Sequence, residues 1–472
     1  MLIGLMLVAL LVMIVIGVPI AVALAGSSLL FLLVGNLTGE VTTPVITVIH
    51  RMVNGVDSFP LLAVPFFIMA GNLMNSAGIT NRIYNFALAL VGWMKGGLGH
   101  VNVVGSMIFA GMSGTAIADA AGLGTIEIKA MTDHGYSKEF AVGVTAASAT
   151  VGPIIPPSLP FVIYGMMASV SIGQLFLAGV VPGLILGVTM MLTVAYFAHT
   201  RGFGRDVPFS AVKLAKATLE VALVAAVPLS AWLLFSLGVP GGWSVLMAFA
   251  LLLALDKLFN FSAVMALLTP VMLIGGMTMG IFTPTEGAIA ASLWALFLGL
   301  VWYRTLDWRR LVKLTMDTIE TTAAVLFIVA AASIFGWLLT VTRVTDAVAE
   351  WVLAFTSNPN MFLLLANLLL LFVGCFLEPT AAITLLVPIL MPICLKLGID
   401  PVHFGLIMVL NLMIGLLHPP MGTVLFVLSR VAKLSFERTT MAILPWLVPL
   451  LGTLFLCTYV PEIVLWLPRK FF

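Results

Sequence analysis

Charge is what this chain lacks. Only 8% of its 472 residues are Asp, Glu, Lys or Arg, whereas 62% are hydrophobic and the mean hydropathy is +1.20. A soluble globule of that length needs far more polar surface, so the shortage excludes a water-soluble fold and makes lipid the solvent. The net charge of +2 is dispersed, which excludes a nucleic-acid-binding face. Cysteine is scarce too. Cys375, Cys394 and Cys457 lie in apolar stretches without metal-ligand spacing and read as inert packing. A charged leader with a small-residue cleavage site is missing, so Leu2 to Val34 reads as a first membrane segment.

What is present is apolar length, interrupted. Stretches near or beyond the roughly 20 residues that cross a bilayer include Phe140 to Val170, Phe176 to Ala198, Ala263 to Val301, Phe404 to Leu428 and Leu444 to Trp466. With hairpins allowed for, the length rule gives about ten to twelve spans. Two of these stretches carry one unusual sentence: GPIIPPSLPFVIY from Gly152 and GLLHPPMGTVLFV from Gly415. These glycines are 263 positions apart, as are Gly111 and Gly374, Gly135 and Gly398, and Gly17 and Gly280. The chain therefore reads as a duplication. The first repeat covers about 1–205 and the second about 263–472. The connection 206–262 holds two apolar stretches around GVPGGW and reads as a membrane hairpin. Basic clusters at Arg201 to Lys216, Arg304 to Lys313 and Arg430 to Arg438 mark loops that ordinarily stay cytoplasmic, and their placement in both repeats leaves the orientation open.

Chemistry is expected where the helices break. Proline deletes a backbone hydrogen bond and clashes with the preceding turn, and Pro-Pro also drives the residue before it out of the helical region. In hydrocarbon each orphaned group costs several kcal/mol, so matched breaks persist only where protein, water, ion or substrate satisfies them. The broken helices are expected at about 140–166 and 404–428. Upstream of each lies a second irregular segment, GMSGTAIADAAGLGTIEIKAM and CFLEPTAAITLLVPILMPI. Both are too short and too interrupted to cross, and read as re-entrant hairpins over about 105–135 and 361–397, entering from opposite faces. Their helical N-termini would offer amides to a carboxylate. Carbonyls freed at Gly152 and Gly415, with the hydroxyls of Ser158 and Thr423, are hard oxygen ligands suited to an alkali cation. Asp119, a carboxylate within so apolar a chain, marks an ion or substrate path.

These segments resemble a family. FAGMSGTAIADAAGLG, TAASATVGPIIPPSLPFVIYG, GIFTPTEGA, FIVAAASIFGW and the EPTAAITLLVPILMPI to GLLHPPMGT block are similar, over nearly the whole chain, to the large membrane subunit of tripartite ATP-independent periplasmic (TRAP) transporters. The resemblance implies an all-α, polytopic elevator-type carrier of two inverted repeats in the bacterial inner membrane, coupled to sodium and free of other cofactors. It implies as partners a small membrane (Q) subunit, a periplasmic substrate-binding (P) protein and a small organic acid. Ser113, Gly114 and Thr115 with Gly152 and Pro156 would form one sodium site. Glu378, Pro379 and Thr380 with Gly415 and Pro419 would form the other. Substrate would lie between the tips, within reach of Ser113, Asp119, Ser158, Thr380, His418 and Thr423.

Blander readings stand beside these. Glu286 suits a helix start as well as a site. His418 takes part in proton coupling or simply bonds a neighbouring backbone group. Glu127 and Lys129 read as an exposed hairpin base. A stand-alone symporter or antiporter of the same superfamily is the near rival. An intramembrane hydrolase would need a nucleophile and a base, yet no GxSxG or HExxH occurs, and Asp119 and Glu378 are its only plausible acids.

Overall fold

The computed structural model describes residues 2–237, 241–259, 263–278, 281–419 and 422–472. Among these the chain is helical, with one isolated β-bridge between Lys95 and Arg205.

The first apolar stretch is two helices rather than one segment. Gly17 turns left-handed at φ +85° and Pro19 cannot continue a helix, so α1 (Leu2–Val15) folds back on α2 (Ile20–Thr38). A short α3 (Thr47–Val56) and a 3₁₀ turn (Phe59–Leu62) lead into α4 (Ala63–Ser76) and α5 (Ile79–Val91). Next comes a dense group: α6 (Gly97–Ser113), α7 (Ala116–Ala121), α8 (Leu123–Asp133), α9 (Lys138–Ala149), α10 (Leu159–Met167) and the long α11 (Ile172–Thr200). The connection holds α12 (Ala211–Ser236) and α13 (Gly241–Phe259), which pack together as the expected hairpin, although Pro240 of its turn lies outside the described residues.

The second half opens with α14 (Val264–Thr278), α15 (Pro284–Phe297), the 34-residue α16 (Trp308–Val341) and α17 (Val344–Phe355). It then runs through α18 (Pro359–Gly374), α19 (Pro379–Lys396), α20 (Pro401–Gly415), α21 (Thr423–Ala432), α22 (Phe436–Tyr459) and α23 (Pro461–Phe471). Helix starts follow the duplication: α9 begins at 138 and α20 at 401, α7 at 116 and α19 at 379. Gly280, one member of the Gly17 pair, lies outside the described residues.

Seven helices among the described residues are long and apolar enough to cross a membrane, or eight when α17 and α18, bent by 119°, count as one. Much of the apolar sequence is cut by Gly and Pro into 9- to 17-residue pieces such as α6, α9, α10, α20 and α21, which fall short of a bilayer crossing.

Small residues bring the framework helices together, as expected where lipid gives no hydrophobic advantage to association. On α15, Gly287, Ala288, Ala291, Ser292 and Ala295 are buried, and α15 packs on α4. Thr285 and Ser292 donate to the carbonyls of Phe59 and Phe66 at 3.4 and 2.6 Å, so each helix advances by one seven-residue step and the two run parallel. On the other side of α4, Asn72 Nδ2 donates to Thr318 Oγ1 of α16 at 3.0 Å. The α1–α2 pair forms a separate apolar cluster with Ala331 to Leu339 of α16.

The loop after α11 is tied to the dense group by one carboxylate. Asp206 Oδ2 accepts from the Leu98 amide at 2.9 Å and from the Tyr136 hydroxyl at 2.6 Å. Asp206→Ala leaves both donors unmet and is expected to cost about 1–3 kcal/mol, read as a lower melting temperature of the purified chain, whereas Asp206→Asn retains part of the loss.

Candidate functional site

The first tip forms because α6 cannot continue past Ser113. Gly114 adopts a left-handed φ of +64°, and a Cβ there would lie 3.0 Å from the Pro157 carbonyl oxygen. Glycine thus seats the tip directly on the broken helix. The break itself runs from Thr150 to Ser158, where α9 unwinds through short turns: the amides of Val151 and Gly152 reach Ser148 and Ala149, and those of Ile154 and Ile155 both reach Val151. Pro153, Pro156 and Pro157 offer no amide, and every residue from 151 to 164 is buried. Gly152 faces the tip, since a Cβ on it would sit 3.7 Å from the Thr115 carbonyl oxygen. The structure thus joins Gly114, Thr115 and Gly152 as expected; the Ser113 side chain lies outside the described residues.

Ser158 is engaged locally. Its hydroxyl donates to the Pro153 carbonyl and accepts from the Phe161 amide at 3.3 Å, so it caps α10 and closes the loop on itself.

The second tip is built differently. Glu378 caps α19, its Oε2 accepting from the Thr380 amide at 3.1 Å and from the Thr380 hydroxyl. The N-terminus that the sequence offered to a substrate carboxylate is therefore already held by a carboxylate of the chain. Gly415 ends α20 and lies against Gly374 at the end of α18; a Cβ on Gly415 would be 2.6 Å from Gly374 Cα. The second break continues through the amides of Leu417 and His418 to the carbonyls of Ile414 and Gly415. Pro419 is exposed, and its partner Pro420 lies outside the described residues.

Both tips line one cavity of about 40 Å³. Gly114 and Thr115 reach it from the first tip, Glu378, Pro379 and Thr380 from the second, and Pro153, Leu159, Pro160, Met413 and Leu416 from the breaks. The volume suits an ion with a water or two and is too small for an organic acid. Gly152, Pro156, Ser158, Gly415, His418, Pro419 and Thr423 are not among its lining residues. His418 Nδ1 pairs with the Ile414 carbonyl at 3.0 Å, the local bond that the bland reading supposes. Thr423 Oγ1 is buried without a hydrogen-bond partner. Glu286 closes a capping box with Thr283 at the start of α15. Of the cysteines, Cys394 and Cys457 are buried and Cys375 is half-buried, all as free thiols.

Asp119, 1% exposed on α7, is not among the lining residues, although Ala116 and Ile117 of the same helix are. Glu127 overturns its expectation outright. It is 1% exposed, not an exposed hairpin base, because α8 packs against both α6 and α9 and directs it to Asn102. Lys129 is exposed.

A family profile described as "Tripartite ATP-independent periplasmic transporter, DctM component" matches residues 7–463. The chain belongs to this family. It is 43% identical over 455 residues, 96% of each chain, to the sialic acid TRAP transporter large permease protein SiaM of Vibrio cholerae. It is 33% identical over 467 residues, again 96% of each chain, to the C4-dicarboxylate TRAP transporter large permease protein DctM of Rhodobacter capsulatus. Among solved structures, the YdaH transporter of Alcanivorax borkumensis matches with a TM-score of 0.57 over 88% of this chain and 87% of that one; at 14% identity the likeness concerns fold alone. The TRAP large permease described here is thus an inner-membrane transport protein and not an enzyme. The two tips and two breaks that line its cavity are the segments whose sequences first suggested the family.

Proposed function

We propose that this TRAP large permease is a sodium-coupled importer of a small organic acid, working with a small membrane subunit and a periplasmic binding protein that delivers the acid. The observation that carries the reading is the convergence of both tips on one ion-sized, carboxylate-lined cavity. Gly114 and Thr115 line it on one side and Glu378, Pro379 and Thr380 on the other; Gly152, which lies against Thr115, and Gly415 are the further backbone ligands of the proposal. The recurrence of helix starts at the 263-residue offset supports two inverted structural repeats. In the elevator mechanism proposed here, hairpins α6–α8 and α18–α19 and broken helices α9–α10 and α20–α21 move together against a framework that includes α4, α15 and α16. Opening between the tips then makes room for the acid, which the 40 Å³ chamber cannot enclose.

Relatives whose names specify cargo include carriers of sialic acid, C4-dicarboxylate, 2,3-diketo-L-gulonate and the sulfonate isethionate, which supports an organic acid as the substrate class. The test is uptake of such acids into liposomes holding the permease and its small subunit. Uptake is expected only with a sodium gradient and an added binding protein. Full uptake without the binding protein would instead identify a stand-alone symporter, and uptake indifferent to sodium would remove the coupling ion.

A further inference from the structure

Behind the first tip, the interior of the first repeat holds a buried group of oxygens that the tip cavity does not use. Asn102 and Ser106 lie one turn apart on α6, Thr145 and Ser148 one turn apart on α9, Glu127 on α8 and Asp119 on α7; each is 1% exposed or less. Asn102 Nδ2 donates to Glu127 Oε2 at 2.6 Å and to Thr145 Oγ1 at 2.7 Å. Ser106 donates to Ser148 at 3.0 Å, and Ser148 to Asn102 Oδ1 at 2.7 Å. The donors then run out. Glu127 Oε1 is buried without a hydrogen-bond partner among the described residues, and Asp119, buried with the Ser106 hydroxyl as its neighbouring donor, lies within electrostatic range of Glu127. Neither acid has a basic partner among the described residues, where the one ion pair joins Arg469 to Glu462.

Two acids so placed invite a positive charge, because buried carboxylates are otherwise paired, and acids within membranes mark ion paths. Glycines keep the space open. A Cβ on Gly105 would fall 2.8 Å from Glu127 Oε1, and one on Gly124 would fall 2.7 Å from Thr145 Cγ2.

The second repeat shows that the fold itself does not require these acids. There Asn411, 263 positions after Ser148, donates to Asn367 Oδ1 at 2.7 Å, and Asn367 donates to Thr458 at 3.1 Å. The same helix joint is made with amides and a hydroxyl, and the positions matching Asp119 and Glu127 are Ala382 and Leu390. The acids of the first repeat are additional.

We propose that Asp119 and Glu127, with the hydroxyl and amide oxygens around them, form a cation site of their own that takes one alkali ion, sodium by preference. The donors are all hard oxygens, which suit an alkali ion, and competition by calcium separates a monovalent from a divalent occupant. The Asp119 amide reaches the Thr115 carbonyl at 3.3 Å, so an ion here would brace the hairpin behind the first tip without entering the tip cavity. The site does not depend on the tip reading.

The test is equilibrium binding of radioactive sodium to the purified full-length permease, with choline holding ionic strength constant. Glu127→Gln is close in shape and keeps an acceptor for Asn102; it is expected to bind one sodium ion fewer per chain than wild type. Gly105→Ala, which pushes a methyl at Glu127 Oε1 while keeping both acids, is expected to do the same and serves if the first variant does not fold. Gly152→Val, a lesion at the tip, is expected to retain the ion lost in Glu127→Gln. A Glu127→Gln count equal to wild type would overturn the cage, as would calcium displacing this sodium at micromolar concentration; an unchanged count in Gly152→Val would instead count against the tip site.

Discussion

Gly415→Ala is expected to abolish uptake and to lower the melting temperature sharply, whereas Gly152→Ala leaves the fold intact. The two glycines occupy matching places in the duplication, so pattern alone predicts equal effects. Packing makes them unequal. A Cβ on Gly415 would meet Gly374 Cα, C and O at 2.6, 2.7 and 2.9 Å, all backbone atoms of α18 that have no rotamer to change. At Gly152 the nearest atoms are the Ala149 carbonyl oxygen at 3.2 Å and that of Thr115 at 3.7 Å, which yield with a shift of a few tenths of an ångström. Overpacking a filled interior costs about 1–3 kcal/mol where side chains adjust, and the α18–α20 contact lies at or above the top of that range because the helices themselves must separate. Since α18 leads into the Glu378 tip, that separation displaces the tip as well. Thermal melting and liposome uptake of the two variants, measured side by side, check the ordering; a Gly415→Ala protein with wild-type melting would show that α18 and α20 are not in contact as described.

Legibility in the sequence followed the reach of the signal. Breaks at Gly152 and Gly415 were readable because proline acts on its own helix, and the two tips because Gly114 and Pro379 stop helices locally. Gly17 and Pro19 carried an equally local stop, but it was read only as a repeat marker, so α1 and α2 were merged into one segment. Glu127 and Lys129 show a deeper limit. Two positions on a helix are separated by about 200° of rotation, so one faces inward if the other faces out, and a short E-I-K run does not say which. The partner Asn102 that decides it is 25 positions away in the chain. Hydroxyl and amide residues one turn apart on α6 and again on α9 were the available signal, and it becomes visible only once those helices are known to touch. Ser158 shows the opposite limit: a cap and a ligand look alike in sequence, and its bonds to Pro153 and Phe161 are a matter of three-dimensional closure.

Glu378→Gln is expected to raise the sodium concentration for half-maximal uptake by tenfold or more while the protein stays folded. Glu378 is the one acidic or basic residue lining the tip cavity, so the proposed ion meets its only full negative charge there. Removing that charge weakens the attraction for a cation held by otherwise neutral oxygens, and a tenfold loss corresponds to about 1.4 kcal/mol, modest for a charge beside a half-open cavity. Gln keeps an oxygen toward the Thr380 amide, so the cap survives in part, whereas Glu378→Ala loses it at about 1 kcal/mol in addition. The direction also separates two roles for α19. If its N-terminus received a substrate carboxylate directly, Glu378 would repel that group, and the neutral variant would bind substrate more tightly. With the ion between them, the variant instead loses sodium first, and its apparent substrate affinity recovers when sodium is raised. Uptake measured over a grid of sodium and substrate concentrations distinguishes the two, and tighter substrate use at low sodium would move the carboxylate, rather than the cation, to the Glu378 tip.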